Sequence, residues 1–102
     1  MAGLGKFLKQ AQKAQKQMET LQQELATRDI EATAGGGAVR VKINGQSEFL
    51  ALTLDPEFLK EDPGLVADTI LEAVKQASAK AKALNTEEMN KLTSQFQMPG
   101  ML

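Results

Sequence analysis

The 102-residue sequence contains no cysteine, histidine, tyrosine or tryptophan, and its aromatic residues are four phenylalanines. Without cysteine there is no disulfide framework and no thiolate metal site, a usage that fits a cytosolic protein. Ser47, Ser78 and Ser94 have no histidine to activate them, and no nucleophile–base pair stands out, so an enzyme is the least supported class. The start has no apolar run suited to a signal peptide or membrane span, because Lys6, Lys9 and Lys13 interrupt it. A chain of this length provides one core, and a single domain is expected over residues 1–97, followed by a disordered Met/Pro/Gly tail at 98–102. So small a core is marginal alone and gains from oligomerisation.

The net charge is −1, but its distribution is uneven. The first seventeen residues carry Lys6, Lys9, Lys13 and Lys16 and no acid. An acidic block follows in the middle, with Asp55, Glu57, Glu61, Asp62, Asp68 and Glu72 against Lys60. Beyond it, Lys75, Lys80, Lys82 and Lys91 outweigh Glu87 and Glu88. Both ends are basic and the middle is acidic.

The periodicity predicts a long helix from about Leu4 to Arg28. Leu4, Phe7, Ala11, Ala14, Met18, Leu21 and Leu25 recur at alternating steps of three and four, the a/d seam of a helix that packs on a partner helix. No proline interrupts it, and its Ala, Gln, Lys, Leu and Met residues favour helix. At 1.5 Å per residue it spans roughly 35–40 Å, more than so small a domain can cover, so part of it packs on another chain or projects into solvent. The four lysines fall at the c and f positions, opposite the seam.

Three short strands follow. Ile30, Ala32 and Ala34 alternate with polar residues, Gly35-Gly36-Gly37 makes a turn, and Val39, Val41 and Ile43 alternate with Arg40, Lys42 and Asn44. A two-residue turn at Asn44-Gly45 would place Val39 opposite Leu50 and Arg40 opposite Phe49. Val39, Val41, Ile43, Leu50, Leu52 and Leu54 then form the core face, with Ala38, Arg40, Lys42, Phe49 and Ala51 on a mixed face where Arg40 could lie over the Phe49 ring. Asp55-Pro56 and Asp62-Pro63 each read as an N-cap followed by a first-turn proline, opening a helical turn and then a second helix. That helix presents Val66, Ile70, Ala73, Val74, Ala77, Ala81 and Leu84 on one side, and slips register at Asn85, where it either continues or restarts. The glycine triplet lacks the Lys-Ser/Thr of a phosphate loop, and two of the block's aspartates are caps, so neither nucleotide nor metal is expected and no cofactor is implied.

Taken together, Gly35-Gly36-Gly37-Ala38-Val39-Arg40-Val41-Lys42-Ile43-Asn44-Gly45, Leu52-Thr53-Leu54-Asp55-Pro56-Glu57-Phe58-Leu59, the start Leu8-Lys9-Gln10-Ala11-Gln12 and the Met/Pro/Gly-rich end resemble the YbaB/EbfC family of nucleoid-associated proteins. The resemblance covers nearly the whole chain and departs from the family at Lys75-Gln76, where members often carry Asn and then an acid. It implies an α+β fold in the order α-β-β-β-α and a tweezer-like homodimer. It also implies binding of duplex DNA by both terminal helices, in the bacterial cytoplasm at the nucleoid. Candidate DNA contacts are then Lys6, Lys9, Lys13 and Lys16, with Arg40, Lys42, Lys75, Lys80 and Lys82 as further candidates. Candidate dimer contacts are Leu4, Phe7, Ala11, Ala14, Met18, Leu21, Leu25 and Phe49. Two rival readings are an adaptor whose heptad helix docks another protein, and surface attachment to a membrane by the first helix. The small Ala11 and Ala14 make a poor insertion face for the second.

Overall fold

The computed structural model describes residues 2–95. In chain order these form helix α1 (Ala2–Ala26), strands β1 (Asp29–Ala34), β2 (Val39–Asn44) and β3 (Phe49–Leu54), one 3-10 turn at Phe58–Lys60, and helix α2 (Pro63–Gln95). This is the α-β-β-β-α order, and the fold is α+β. The tail at 98–102 lies outside the described residues.

The strands form an antiparallel meander in the order β1-β2-β3, with α2 laid across β1 and β2. Helix α2 starts where the Asp-Pro step requires: the Asp62 carboxylate accepts from the Gly64 and Leu65 amides at 3.0 and 3.3 Å, and Pro63 needs no partner. Thr69, Ala73, Ala77 and Ala81, spaced every four residues, are its buried ridge. They meet Ala32, Ala34, Val39, Val41 and Ile43. Small side chains on both sides let helix and sheet approach closely, and the alanines at 77 and 81 find their close neighbour in the sheet. The helix runs unbroken through Asn85, whose side-chain amide donates to the Gly45 carbonyl at 3.5 Å.

The β2–β3 hairpin differs from the sequence expectation. Val39 pairs with Leu54, Arg40 with Thr53, Val41 with Leu52 and Lys42 with Ala51, and a bulge then brings Ile43 opposite Phe49. The loop is longer than two residues, and its left-handed residue is Ser47 (φ 66°) rather than Asn44 or Gly45. The cause is Asn44, whose buried side chain accepts from the Gln46 and Glu48 amides, both at 3.0 Å, and so builds a wider turn. Two corrections follow. Arg40 does not lie opposite Phe49, and the core face is only half filled: Val39, Val41 and Ile43 are buried, while Leu50 and Leu52 are exposed because α2 does not cover β3. The glycine triplet is a turn, with all three residues at positive φ.

Extents of 71 × 25 × 16 Å and a radius of gyration of 20.0 Å describe an elongated molecule. A compact chain of this length has a radius of about 13 Å.

Candidate nucleic-acid interface

Helix α1 is held at its C-terminal end, and among the described residues nothing packs on its first turns. Its last carbonyls, which no helix can satisfy internally, are capped by the β2–β3 turn. The Gly45 amide donates to the Leu25 carbonyl at 2.8 Å and the Asn44 side chain to the Ala26 carbonyl at 3.2 Å; one turn further in, the Gln46 side chain adds a bond to the Gln22 carbonyl at 2.6 Å. A Cβ at Gly45 would stand 2.7 Å from the Leu25 carbonyl oxygen, which explains the glycine. Leu25 itself is 1% exposed. It belongs to the chain's own interior, which removes it from the candidate dimer contacts. Further up, Gln17, Thr20, Leu21 and Glu24 face Glu88, Lys91, Leu92 and Gln95 across a shared groove, so α1 and the end of α2 run antiparallel. The preceding residues, 2–16, extend past the level of Gln95 as an arm about 22 Å long.

That arm carries the lysines. Lys6, Lys9, Lys13 and Lys16 are all exposed. At 100° per residue they lie within about 80° of one another around the helix, on the side away from the seam. The arm has no carboxylate, and among the described residues the salt bridges involve Lys60 and Lys91 only. On the other face Leu4, Phe7, Ala11 and Met18 are exposed, and Ala14 and Leu21 are half-buried.

The other candidate cations do not join this stripe. Lys75 and Lys82 are exposed on the side of α2 opposite the alanine ridge, a side they share with Asp68 and Glu72. Lys80 is turned toward the sheet and donates to the Glu31 carbonyl of β1 at 3.0 Å. Its place one residue from Ala81 and three from Ala77 is the sequence signal that separates it from Lys75 and Lys82. Arg40 and Lys42 lie on the sheet face away from α2, with Glu31, Ala51 and Thr53. Phe49 is exposed at the β3 edge beside Leu50, Leu52 and Val74.

The acidic block sits at the far end. Asp55 follows β3 and donates its amide to the Ala38 carbonyl, next to the glycine turn, while Thr69 and Phe58 flank Gly35. The arm leaves from the opposite end of the sheet, at Gly45. The long axis therefore runs from a purely basic arm to an acidic cap. Such a distribution would favour approach of a polyanion to the arm end.

Among the described residues, no group of three or more Asp, Glu, His or Cys could hold a metal ion, and no helix is long and apolar enough to cross a membrane.

Comparison with known proteins gives one consistent set of similarities. Residues 1–96 match the YbaB/EbfC DNA-binding family. A nucleoid-associated protein of Pelotomaculum thermopropionicum is 43% identical over 99 residues, covering 96% of this chain and 94% of that protein. One from Clostridium novyi is 42% identical, covering 96% of this chain and 87% of the relative. A third, from Chloroflexus aurantiacus, is 42% identical over 88 residues, or 85% of this chain and 88% of the relative. Among solved structures, the fold is similar to that of the uncharacterized protein HP0035 from Helicobacter pylori. The TM-score is 0.61 at 24% identity, over 74% of this chain and 86% of that one.

Proposed function

The chain belongs to the YbaB/EbfC DNA-binding family, and from that premise we propose that it is a nucleoid-associated protein that binds duplex DNA as a homodimer, chiefly through phosphates. The observation that carries the reading is the α1 arm, with four exposed lysines on one face and no carboxylate within residues 2–16. A lysine is a compact point charge, suited to phosphate rather than to the two-pronged recognition of a base edge. The arm carries no arginine and its one aromatic, Phe7, lies on the opposite face, so sequence preference is weak. The names of the relatives support location at the nucleoid, and hence in the cytoplasm.

The second helix contributes less. Lys80 is engaged by β1, and Lys75 lies one helical turn from Glu72, which leaves Lys82 as the exposed cation of this face. Two copies would present two arms, and the acidic caps would keep the remainder of each surface off the DNA.

The test is an electrophoretic mobility shift on random-sequence duplex DNA. Binding at low salt, independent of sequence and released as salt rises, is the expected result. Failure to shift any duplex at low salt would favour the adaptor, with the exposed Leu4 and Phe7 as its docking face.

A further inference from the structure

Phosphate binding uses one face of the α1 arm and leaves the other in water. Leu4, Phe7 and Leu8, in the first turns of the arm, are 59%, 63% and 52% exposed. At 100° per residue the three lie within about 100° of one another, on the side opposite the lysines. Leu8 sets this face apart from a coiled-coil seam. It falls at position e and widens the stripe of Leu4, Phe7 and Ala11 beyond what a single partner helix covers.

The tip is open around its backbone as well, since a Cβ added at Gly3 or Gly5 would meet nothing within 4 Å. Between the apolar face and the lysines lie Gln10 and Gln12, polar and uncharged, so burying the apolar face takes no charge out of water. In the sequence, the small Ala11 and Ala14 count against insertion into a membrane surface. In the structure Ala14 is half-buried, and the large apolar side chains stand at the exposed tip.

We propose that the tip of α1 is an interfacial anchor for an anionic phospholipid bilayer. The arm lies in the plane of the headgroups, with Leu4, Phe7 and Leu8 against the acyl chains and the four lysines at the lipid phosphates. A helix of low overall hydrophobicity, with lysines on one face and Leu and Phe on the other, is of the kind that lies on a membrane. Lysine stems can run along the helix flank and keep their charges at the headgroups. The anchor does not span, because no described helix is long and apolar enough to cross. Charge fits this surface: residues 2–16 hold no carboxylate, and the acidic cap at the far end of the molecule stays off an anionic membrane. Three large side chains make a weak anchor, so attachment is reversible. Anchoring and DNA binding can fail separately, because the apolar tip serves only the first.

The test is flotation of the full chain at low salt with vesicles of phosphatidylglycerol and phosphatidylcholine in equal parts, and of phosphatidylcholine alone. Wild type is expected to float with the anionic vesicles only. Changing Leu4, Phe7 and Leu8 together to Gln keeps every lysine, and circular dichroism checks that helix content is retained. This variant is expected to lose vesicle affinity by about tenfold or more, while its gel shift on duplex DNA changes by less than about twofold. Wild type that does not float with anionic vesicles overturns the proposal. Equal flotation of wild type and variant also overturns it, because the lysines alone would then account for adhesion. A folded variant that loses DNA binding as well puts the tip in the DNA interface, and the anchor falls. Flotation as expected by a chain that shifts no duplex supports the anchor and overturns the DNA reading. Should the triple variant lose helix, Phe7→Trp decides, since the chain has no Trp of its own. Its emission is expected to shift to the blue on anionic vesicles, and unchanged emission overturns the anchor.

Discussion

Each helix carries four lysines, and the two sets have opposite fates. On α2, Lys80 is bonded to a strand carbonyl, Lys91 reaches Glu87 and Glu88 at 3.5 Å, Lys75 lies one turn from Glu72, and Lys82 is exposed. On α1, Lys6, Lys9, Lys13 and Lys16 have no acidic neighbour on their arm. The packing is reversed as well. The α2 ridge is buried along the sheet, whereas among the described residues the α1 seam is covered fully at Leu25 and partly at Leu21 and Ala14. On the proposed reading, what suits α1 to phosphate is not the number of its lysines but their clustering on one open face with no acid among residues 2–16.

The comparison breaks most sharply at paired alanines. Ala77→Asp would place an unpaired carboxylate at a site with 0% exposure, and a loss of about 3–5 kcal/mol is expected. Ala11→Asp, on the open arm, should change stability by no more than about 0.5 kcal/mol. Urea unfolding followed by circular dichroism checks both, and equal losses would show that the arm is as structural as the ridge. Next in size is Leu25→Ala, where the buried end of α1 loses its anchor at a cost of about 2–5 kcal/mol. Leu4→Ala, by contrast, should be nearly silent in the same measurement.

Smaller still is Gly45→Ala. Its Cβ would meet the Leu25 carbonyl at 2.7 Å, so α1 must shift, and a loss of about 1–3 kcal/mol is expected by thermal unfolding. A neutral result would mean that the turn does not hold the helix.

How much of this was legible in the sequence follows from the range of the interactions. Element order was readable because the seam of α1, the alternation of β2 and the Asp62-Pro63 cap are local patterns. The hairpin register was not. Asn44-Gly45 is a strong local turn signal, but here Gly45 is recruited to cap α1 some twenty residues away, and Ser47 takes the left-handed conformation instead. Leu50 and Leu52 look like core residues because alternation identifies a face without saying whether a helix reaches it; α2 does not. At the candidate interface, the clustering of Lys6, Lys9, Lys13 and Lys16 was legible from spacing alone. The engagement of Lys80 depends on where α2 crosses β1, which no local pattern states.

On the proposed reading, the same contrast extends to DNA binding. Changing Lys75 and Lys82 to Gln should weaken binding only modestly and flatten the salt dependence by less than about 0.9 per lysine, the value for one full phosphate contact. A large change would move the interface from α1 to α2.

The central claim is that the α1 arm carries the affinity, and the most direct measurement is the slope of log K against log salt for duplex binding. Two copies present eight arm lysines. If about four to six of them meet phosphate, the wild-type slope is roughly −3.5 to −5.5. Replacing Lys6, Lys9, Lys13 and Lys16 with Gln keeps helix propensity and leaves the seam untouched. The variant should remain dimeric, bind every duplex more weakly, and show a markedly flatter slope. A quadruple variant that binds as tightly as wild type at every salt concentration, with an unchanged slope, would contradict the account.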